Sequence, residues 1–86
     1  MDEFQKLVDI VAALRDPQNG CPWDIKQTPE SLVPNFIEEL YEVVEAIEEK
    51  DGAALKEELG DLTLHIVFQA QIAREKGDFA MPDVLN

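Results

Sequence analysis

The chain has few basic residues, and this shortage limits the partners that it can bind. Its 86 residues contain 7 Lys and Arg against 19 Asp and Glu, which gives a formal net charge of −12. Such an acidic surface argues against direct electrostatic binding of DNA, RNA or an anionic membrane. A small anionic ligand that arrives with metal ions is still compatible, because a bound cation reverses the local charge.

Cysteine, glycine and long apolar runs are also scarce. With Cys21 as the single cysteine, an intrachain disulfide is excluded and a reduced, cytoplasmic setting is expected. Residues 1–20 lack the apolar h-region of a signal peptide, and no stretch approaches the roughly 20 apolar residues of a membrane span. Only 4 glycines and a hydrophobic content of 45% exclude a disordered chain. The length predicts one small domain, whose limited core is completed by oligomerisation.

Apolar residues at helical spacing predict three helices. They cover residues 3–15, from Thr28 or Ser31 to about Lys50, and from about Ala53 to Lys76. Residues 16–30 contain three prolines and a glycine, which predicts an ordered or semi-ordered loop. A turn at Asp51-Gly52 makes the two longer helices antiparallel. Residues 62–73 are apolar almost all round the third helix, which predicts a subunit interface.

Four carboxylates recur at i, i+3 spacing on the two longer helices. Glu39 and Glu42 lie in the segment EELYE, and Glu58 and Asp61 lie in EELGD. Residues at this spacing share one side of a helix, so antiparallel packing would bring all four together. A hard divalent cation such as Mg²⁺ would relieve their mutual repulsion. Acidic pairs are also common on solvated helix faces, so spacing alone leaves both a metal site and a solvated face open.

Three motifs together resemble the MazG-like nucleoside triphosphate pyrophosphohydrolases. They are LRDPQNGCPWDIKQT (14–28), EELYE (38–42) and EELGDL (57–62), which occur here in the family's order. The proline-containing loop is far more specific than the acidic pairs. The similarity covers roughly residues 4–84 and implies a single domain over residues 1–86. Longer family members continue past the GDF segment, so this domain is expected to be short at its C-terminus.

The resemblance implies an all-α antiparallel bundle with two long helices that carry the acidic site, completed as a homodimer or a dimer-of-dimers tetramer. The implied reaction is hydrolysis of (deoxy)nucleoside triphosphates to nucleoside monophosphate and pyrophosphate in nucleotide-pool housecleaning. The implied cofactor is Mg²⁺, with Mn²⁺ able to substitute. The residues that match the metal ligands, which are also catalytic, are Glu39, Glu42, Glu58 and Asp61. Glu38 matches a catalytic group that orients the water or a ligand. The candidates for nucleotide contact are Trp23, Lys26, Gln27 and Asn35.

Several alternatives stay open at this stage. A non-catalytic acidic helical dimerisation or interaction module would keep the same fold, and a dUTP/dCTP-type or phosphoribosyl-ATP pyrophosphohydrolase is the nearest enzymatic rival. Trp23 is either a core residue or stacks on a base. Lys26 either meets a phosphate or lies along the surface. His65, one turn after Asp61, is either a core residue or orients a carboxylate.

Overall fold

A computed structural model describes residues 2–86, and all the regular structure in that range is helical. The helices are α1 (Glu3–Leu14), α2 (Pro22–Lys26), α3 (Val33–Glu48), α4 (Gly52–Glu75) and α5 (Met81–Leu85). A 3₁₀ turn over Glu30–Leu32 leads directly into α3. Helices α3 and α4 form a long antiparallel hairpin, and α1 and α5 pack on α4. The all-α prediction and the antiparallel pairing are therefore confirmed.

Side chains cap the starts of the long helices. At α1, the Asp2 carboxylate accepts hydrogen bonds from the backbone N–H groups of Phe4 and Gln5, at 2.9 and 3.3 Å. At α4, the Asp51 carboxylate accepts from the N–H of Ala54 at 3.1 Å. These bonds satisfy donors that have no partner inside the helix, and they explain why each helix begins where it does.

The second long helix begins later than either predicted start: its α-helical part starts at Val33, and Thr28 and Ser31 lie at the 3₁₀ turn before it. The Thr28 hydroxyl accepts from the Ser31 N–H at 3.0 Å, and the Ser31 hydroxyl accepts from the Thr28 N–H at 2.8 Å. This reciprocal pair resembles a capping box, with Pro29 at the first position, where its missing N–H costs nothing. Thr28, Pro29 and Ser31 thus set the start of the 3₁₀ turn that leads into α3.

The turn after α3 has an unusual backbone conformation at Lys50. Both Lys50, with φ 56°, and Gly77, after α4, with φ 78°, are in the left-handed conformation. At the end of α3, the Asp51 N–H donates to the Ala46 carbonyl at 3.1 Å, as in a Schellman motif. Glycine adopts this conformation without steric cost, whereas lysine does not. The α3–α4 turn therefore carries local strain that the end of α4 avoids.

The loop over residues 16–30 is ordered, and it contains the short helix α2, which sequence periodicity did not reveal. Gly20 allows the loop to turn back tightly on the end of α1. A Cβ there would lie against the Leu14 carbonyl oxygen and 2.6 Å from that of Asp16, so glycine is required by close backbone approach. Proline at the first position of α2 fits a helix start.

The core lies between α1, the 3₁₀ turn, the second half of α4 and α5. Its buried members are Val11, Leu32, Val67, Phe68, Ala70, Ile72 and Met81. Residues 62–73 are therefore apolar on most sides because other helices of the same chain cover them. The prediction that this stretch is a subunit interface was wrong for its buried part, and only Leu64 and Ile66 within it are exposed large apolar residues, each at 37%.

The exposed apolar surface is concentrated on α3 instead. We call this surface the α3 apolar face; it consists of Val33, Ile37, Leu40, Tyr41, Val44 and Ile47, which are 41–70% exposed. By contrast, Val43 of the same helix is buried, at 6% exposure. Exposed apolar patches of this kind are characteristic of interaction surfaces. None of the helices in residues 2–86 is long and apolar enough to cross a membrane.

Candidate metal centre

Three of the four predicted metal ligands meet between α3 and α4. Glu39 on α3 and Glu58 and Asp61 on α4 each offer one carboxylate oxygen, and these oxygens lie within 4.8 Å of one another. Because the helices are antiparallel and the acidic pairs have i, i+3 spacing, the backbone geometry alone brings them together. Opposite oxygens around an octahedral Mg²⁺ would be about 4 Å apart. Small side-chain adjustments would therefore close the group around a cation.

The fourth predicted ligand, Glu42, lies beside this group rather than in it. Its carboxylate adjoins that of Glu58 and contributes to the raised pKa of that group. Glu42 and Glu58 also line a hollow of about 300 Å³, together with Glu45, Ala46 and Ala54. Glu42 thus lies at the edge of the cluster and next to one of its members.

Crowding of negative charge raises the pKa of two members of the cluster. The hydrogen bond with Glu42, then partial burial, then repulsion from Glu42, Glu39 and Asp61 raise the pKa of Glu58 to about 7. Partial burial, followed by repulsion from Glu42 and Asp61, raises the pKa of Glu39 above its usual value. Like charges at short range disfavour ionisation, so the cluster retains a proton at pH values where isolated carboxylates have lost theirs.

Two carboxylate oxygens in the cluster point to a cation. Glu39 Oε2 and Glu58 Oε2 are buried and have no hydrogen-bond partner within residues 2–86. Buried polar atoms are normally paired, and an unpaired one lowers stability. A divalent cation would satisfy both oxygens and neutralise the repulsion. A set of donors made only of carboxylate oxygens suits hard cations such as Mg²⁺, Mn²⁺ or Ca²⁺.

Two other candidates on α3 border the cluster. Glu38 is exposed, and its charge contributes to the raised pKa of Glu39. Asn35 is also exposed and lies one turn before Glu39 on the same helix.

His65 stacks on Phe36 across the two helices, with ring centroids 5.9 Å apart and planes inclined by 25°. This packing corresponds to the core alternative for the histidine.

The loop candidates belong to α2 and its end. Trp23 is 55% exposed, which is incompatible with the core alternative, and Lys26 is exposed as well. The Gln27 amide is engaged within the loop: its Nε2 donates to the Trp23 carbonyl at 2.9 Å, and its Oε1 accepts from the Ser31 hydroxyl at 2.8 Å. Gln27 therefore orders the loop directly, whereas Trp23 and Lys26 are available at its surface.

Sequence reasoning missed Arg15, which holds the loop in place. Its Nε and Nη2 donate to the Glu75 carboxylate at 2.8 and 2.7 Å, and its Nη1 donates to the carbonyls of Asp24 and Gln27 at 2.7 and 2.9 Å. The Arg15 side chain is only 9% exposed. One signal was present: Arg15 is among only 7 basic residues and directly precedes the loop. Its partner Glu75, 60 positions away, has no such signal.

Comparison with known proteins agrees with these features. Residues 27–86 match the sequence profile of the MazG nucleotide pyrophosphohydrolase domain. A Thermotoga maritima protein named nucleoside triphosphate pyrophosphohydrolase/pyrophosphatase MazG is 57% identical over 83 residues, which cover 96% of this chain and 32% of that protein. An Escherichia coli K12 nucleoside triphosphate pyrophosphohydrolase is 46% identical over 84 residues, covering 98% of this chain and 32% of that protein. The chain thus spans about a third of the length of these relatives.

Proposed function

The chain belongs to the MazG nucleotide pyrophosphohydrolase family, and from this premise we propose that it hydrolyses (deoxy)nucleoside triphosphates to nucleoside monophosphate and pyrophosphate. The observation that carries the proposal is the convergence of oxygens from Glu39, Glu58 and Asp61, two of which are buried without a partner. The names of the Thermotoga and Escherichia coli relatives support the same reaction. The proposal includes a single domain over residues 1–86 and a role in nucleotide-pool housecleaning in the cytoplasm.

In this proposal Glu39, Glu42, Glu58 and Asp61 hold Mg²⁺, for which Mn²⁺ can substitute. A bound cation of this kind neutralises the triphosphate and lowers the pKa of a coordinated water. Glu42, which lies beside Glu58, completes the set of four ligands from the edge of the cluster. Glu38, exposed beside Glu39, accepts the proton of the attacking water as a general base.

The nucleotide is contacted by the loop and by α3. The exposed indole of Trp23 stacks on the base, because every base offers a π-face, and Lys26 meets a phosphate. Gln27 acts chiefly by ordering the backbone at Trp23. Asn35, one turn before Glu39, donates to the phosphates or the sugar. A substrate of negative charge can approach a chain of net charge −12 only with cations between them.

A second copy of the chain covers the α3 apolar face in this proposal. Six large apolar residues, each more than 40% exposed, would leave an isolated chain with an exposed patch of the kind that monomers avoid. A homodimer buries this face, and a dimer of dimers would bury more. The same face also suits the rival proposal of a non-catalytic interaction module, so the face alone does not separate the two.

The deciding experiment is pyrophosphate release from a panel of standard and modified (deoxy)nucleoside triphosphates, with Mg²⁺ and with EDTA. We expect monophosphate and pyrophosphate in equal amounts, only with the cation. Glu39→Gln should abolish release, whereas Glu57→Gln, an exposed residue on α4, provides a charge-matched control and should leave it unchanged. Activity confined to one base would favour the dUTP/dCTP-type rival. Silence across the panel from folded protein would favour the interaction module.

A further inference from the structure

We propose that Arg15 is a positioning residue for nucleotide binding, which holds α2 and its exposed Trp23 in place from the last turn of α4. The proposal concerns what we call the Arg15 clamp: Arg15, the Glu75 carboxylate, and the backbone carbonyls of Asp24 and Gln27. It rests on the proposed function for its kinetic consequence. Its structural part, the fixed position of α2, stands on contacts alone.

The clamp uses the planar shape of the guanidinium group. Two parallel hydrogen bonds of 2.8 and 2.7 Å join Arg15 to Glu75, and the remaining terminal nitrogen serves two carbonyls at 2.7 and 2.9 Å. The guanidinium also lies over the Phe68 ring, 5.7 Å from its centroid. Lysine has one compact ammonium group and cannot form a two-pronged contact together with this stacking. The arrangement therefore requires arginine specifically.

The two carbonyls that accept hydrogen bonds from Arg15 belong to α2 and to its C-terminal cap. Asp24 is in the middle of α2, and Gln27 is its C-terminal cap. Arg15 thus fixes α2 at its middle and at its C-terminal end. The same helical turn carries Trp23 and Lys26. Gln27 adds an internal tie, because its side chain donates to the Trp23 carbonyl at 2.9 Å. The exposed indole is consequently attached to a backbone segment that is fixed at several points.

The helix α4 connects the clamp with the carboxylate cluster. It carries Glu58 and Asp61 in its first half and Glu75 in its last turn. A second contact ties the loop to α4 nearer the cluster, since the Gln69 amide donates to the Pro29 carbonyl at 3.2 Å. With a rise of about 1.5 Å per residue, Gln69 is about 12 Å along the helix from Asp61. One helix therefore sets the distance between the loop and the proposed metal ligands.

Arg15 and Glu75 each stabilise the charged form of the other. The hydrogen bond to Glu75 raises the pKa of Arg15, and the hydrogen bond from Arg15 lowers the pKa of Glu75. Both groups consequently stay ionised over the whole range in which an enzyme would be assayed. The clamp is a constant feature of the fold and not a pH switch.

The test is Arg15→Lys, read by steady-state kinetics and by the fluorescence of Trp23, the only tryptophan in the chain. Loss of the hydrogen bonds from a charged donor should raise KM about tenfold and leave kcat within about twofold, because binding is affected before chemistry. Acrylamide should quench Trp23 more strongly in the variant. Circular dichroism, measured well below the melting temperature, verifies that the helices remain. Arg74→Lys, an exposed neighbour on α4, is the matched control and should change nothing.

Glu75→Gln is the second variant, and it keeps the test decisive if Arg15→Lys does not fold. It removes the charge from the pair and leaves both carbonyl contacts of Arg15, so KM should rise less than in Arg15→Lys. Folded variants with unchanged KM and unchanged quenching would overturn the proposal. If the wild-type chain hydrolyses no nucleotide, the proposed function fails, whereas the quenching comparison still decides whether Arg15 fixes α2.

Discussion

The carboxylate cluster predicts that cation and proton compete for one site, with opposite effects on stability. The pKa of Glu58 is raised to about 7 and that of Glu39 is also raised, so the folded chain binds protons more tightly there than the unfolded chain does. This contribution to stability is fully present below about pH 4.5, the usual value for the group. It is lost as the pH rises through about 7. Without a divalent cation, the melting temperature should therefore fall across this window.

Magnesium should reverse the trend, because it binds the deprotonated cluster. A ligand at 100 times its dissociation constant adds about 2.7 kcal/mol to the free energy of unfolding. For a domain of this size, each kcal/mol corresponds to about 4–8 °C, so saturating Mg²⁺ should raise the melting temperature by about 10–20 °C at pH 8. At pH 5 the rise in melting temperature caused by Mg²⁺ should be much smaller, because protons then occupy the carboxylates.

The assay is thermal unfolding by circular dichroism from pH 4.5 to 8.5, in EDTA and in Mg²⁺, for the wild type, Glu58→Gln and Glu57→Gln. In EDTA at pH 8, Glu58→Gln should be more stable than the wild type, because it removes a repelling charge. In Mg²⁺ the order should invert, because it also removes a ligand. Glu57→Gln changes the same charge outside the cluster and should follow the wild type. An absence of this inversion, with Mg²⁺ raising both melting temperatures equally, would refute the reasoning.

Three further predictions concern single positions. Lys50→Gly should stabilise the chain by up to about 1 kcal/mol in urea unfolding, because glycine relieves the left-handed strain; equal stability of Lys50→Gly and Lys50→Ala would contradict this. Trp23→Ala should raise KM more than it lowers kcat if the indole contributes uniform binding, and an unchanged KM in steady-state assays would remove Trp23 from the site. Leu40→Glu should lower the molar mass measured by light scattering, because it introduces a charge into the α3 apolar face; an unchanged oligomer would assign the contact to another surface.

The long helices and the meeting of the carboxylates could be predicted because both depend on local periodicity. An i, i+3 pair lies on one side of any helix, and the turn at Asp51 leaves only an antiparallel return. Three of the four acidic ligands then converge without further information. The position of Glu42 beside the other three depends on its side-chain conformation, which no spacing rule describes.

Features that depend on tertiary contacts could not be predicted. The helices α2 and α5 have five residues each, which is too short for an apolar period to appear. Leu40 and Val43 are both apolar residues of α3, and only tertiary packing decides that Val43 is buried and Leu40 is not. The pairing of Arg15 with Glu75 joins segments that are distant in the sequence. No sequence pattern around either residue indicates the other as its partner.

The clamp also bears on the order in which the chain folds. It joins Arg15 to a residue 60 positions later, whereas the α3–α4 hairpin is closed by residues 49–51 alone. Closing the longer segment costs about 2.5 kcal/mol more in chain entropy, so we expect the hairpin with its carboxylates to form first and the loop to dock last. Arg15→Lys should then accelerate unfolding and leave the refolding rate in stopped-flow experiments nearly unchanged. The hairpin that carries the proposed cation ligands would thus be assembled before the loop that carries the proposed nucleotide contacts.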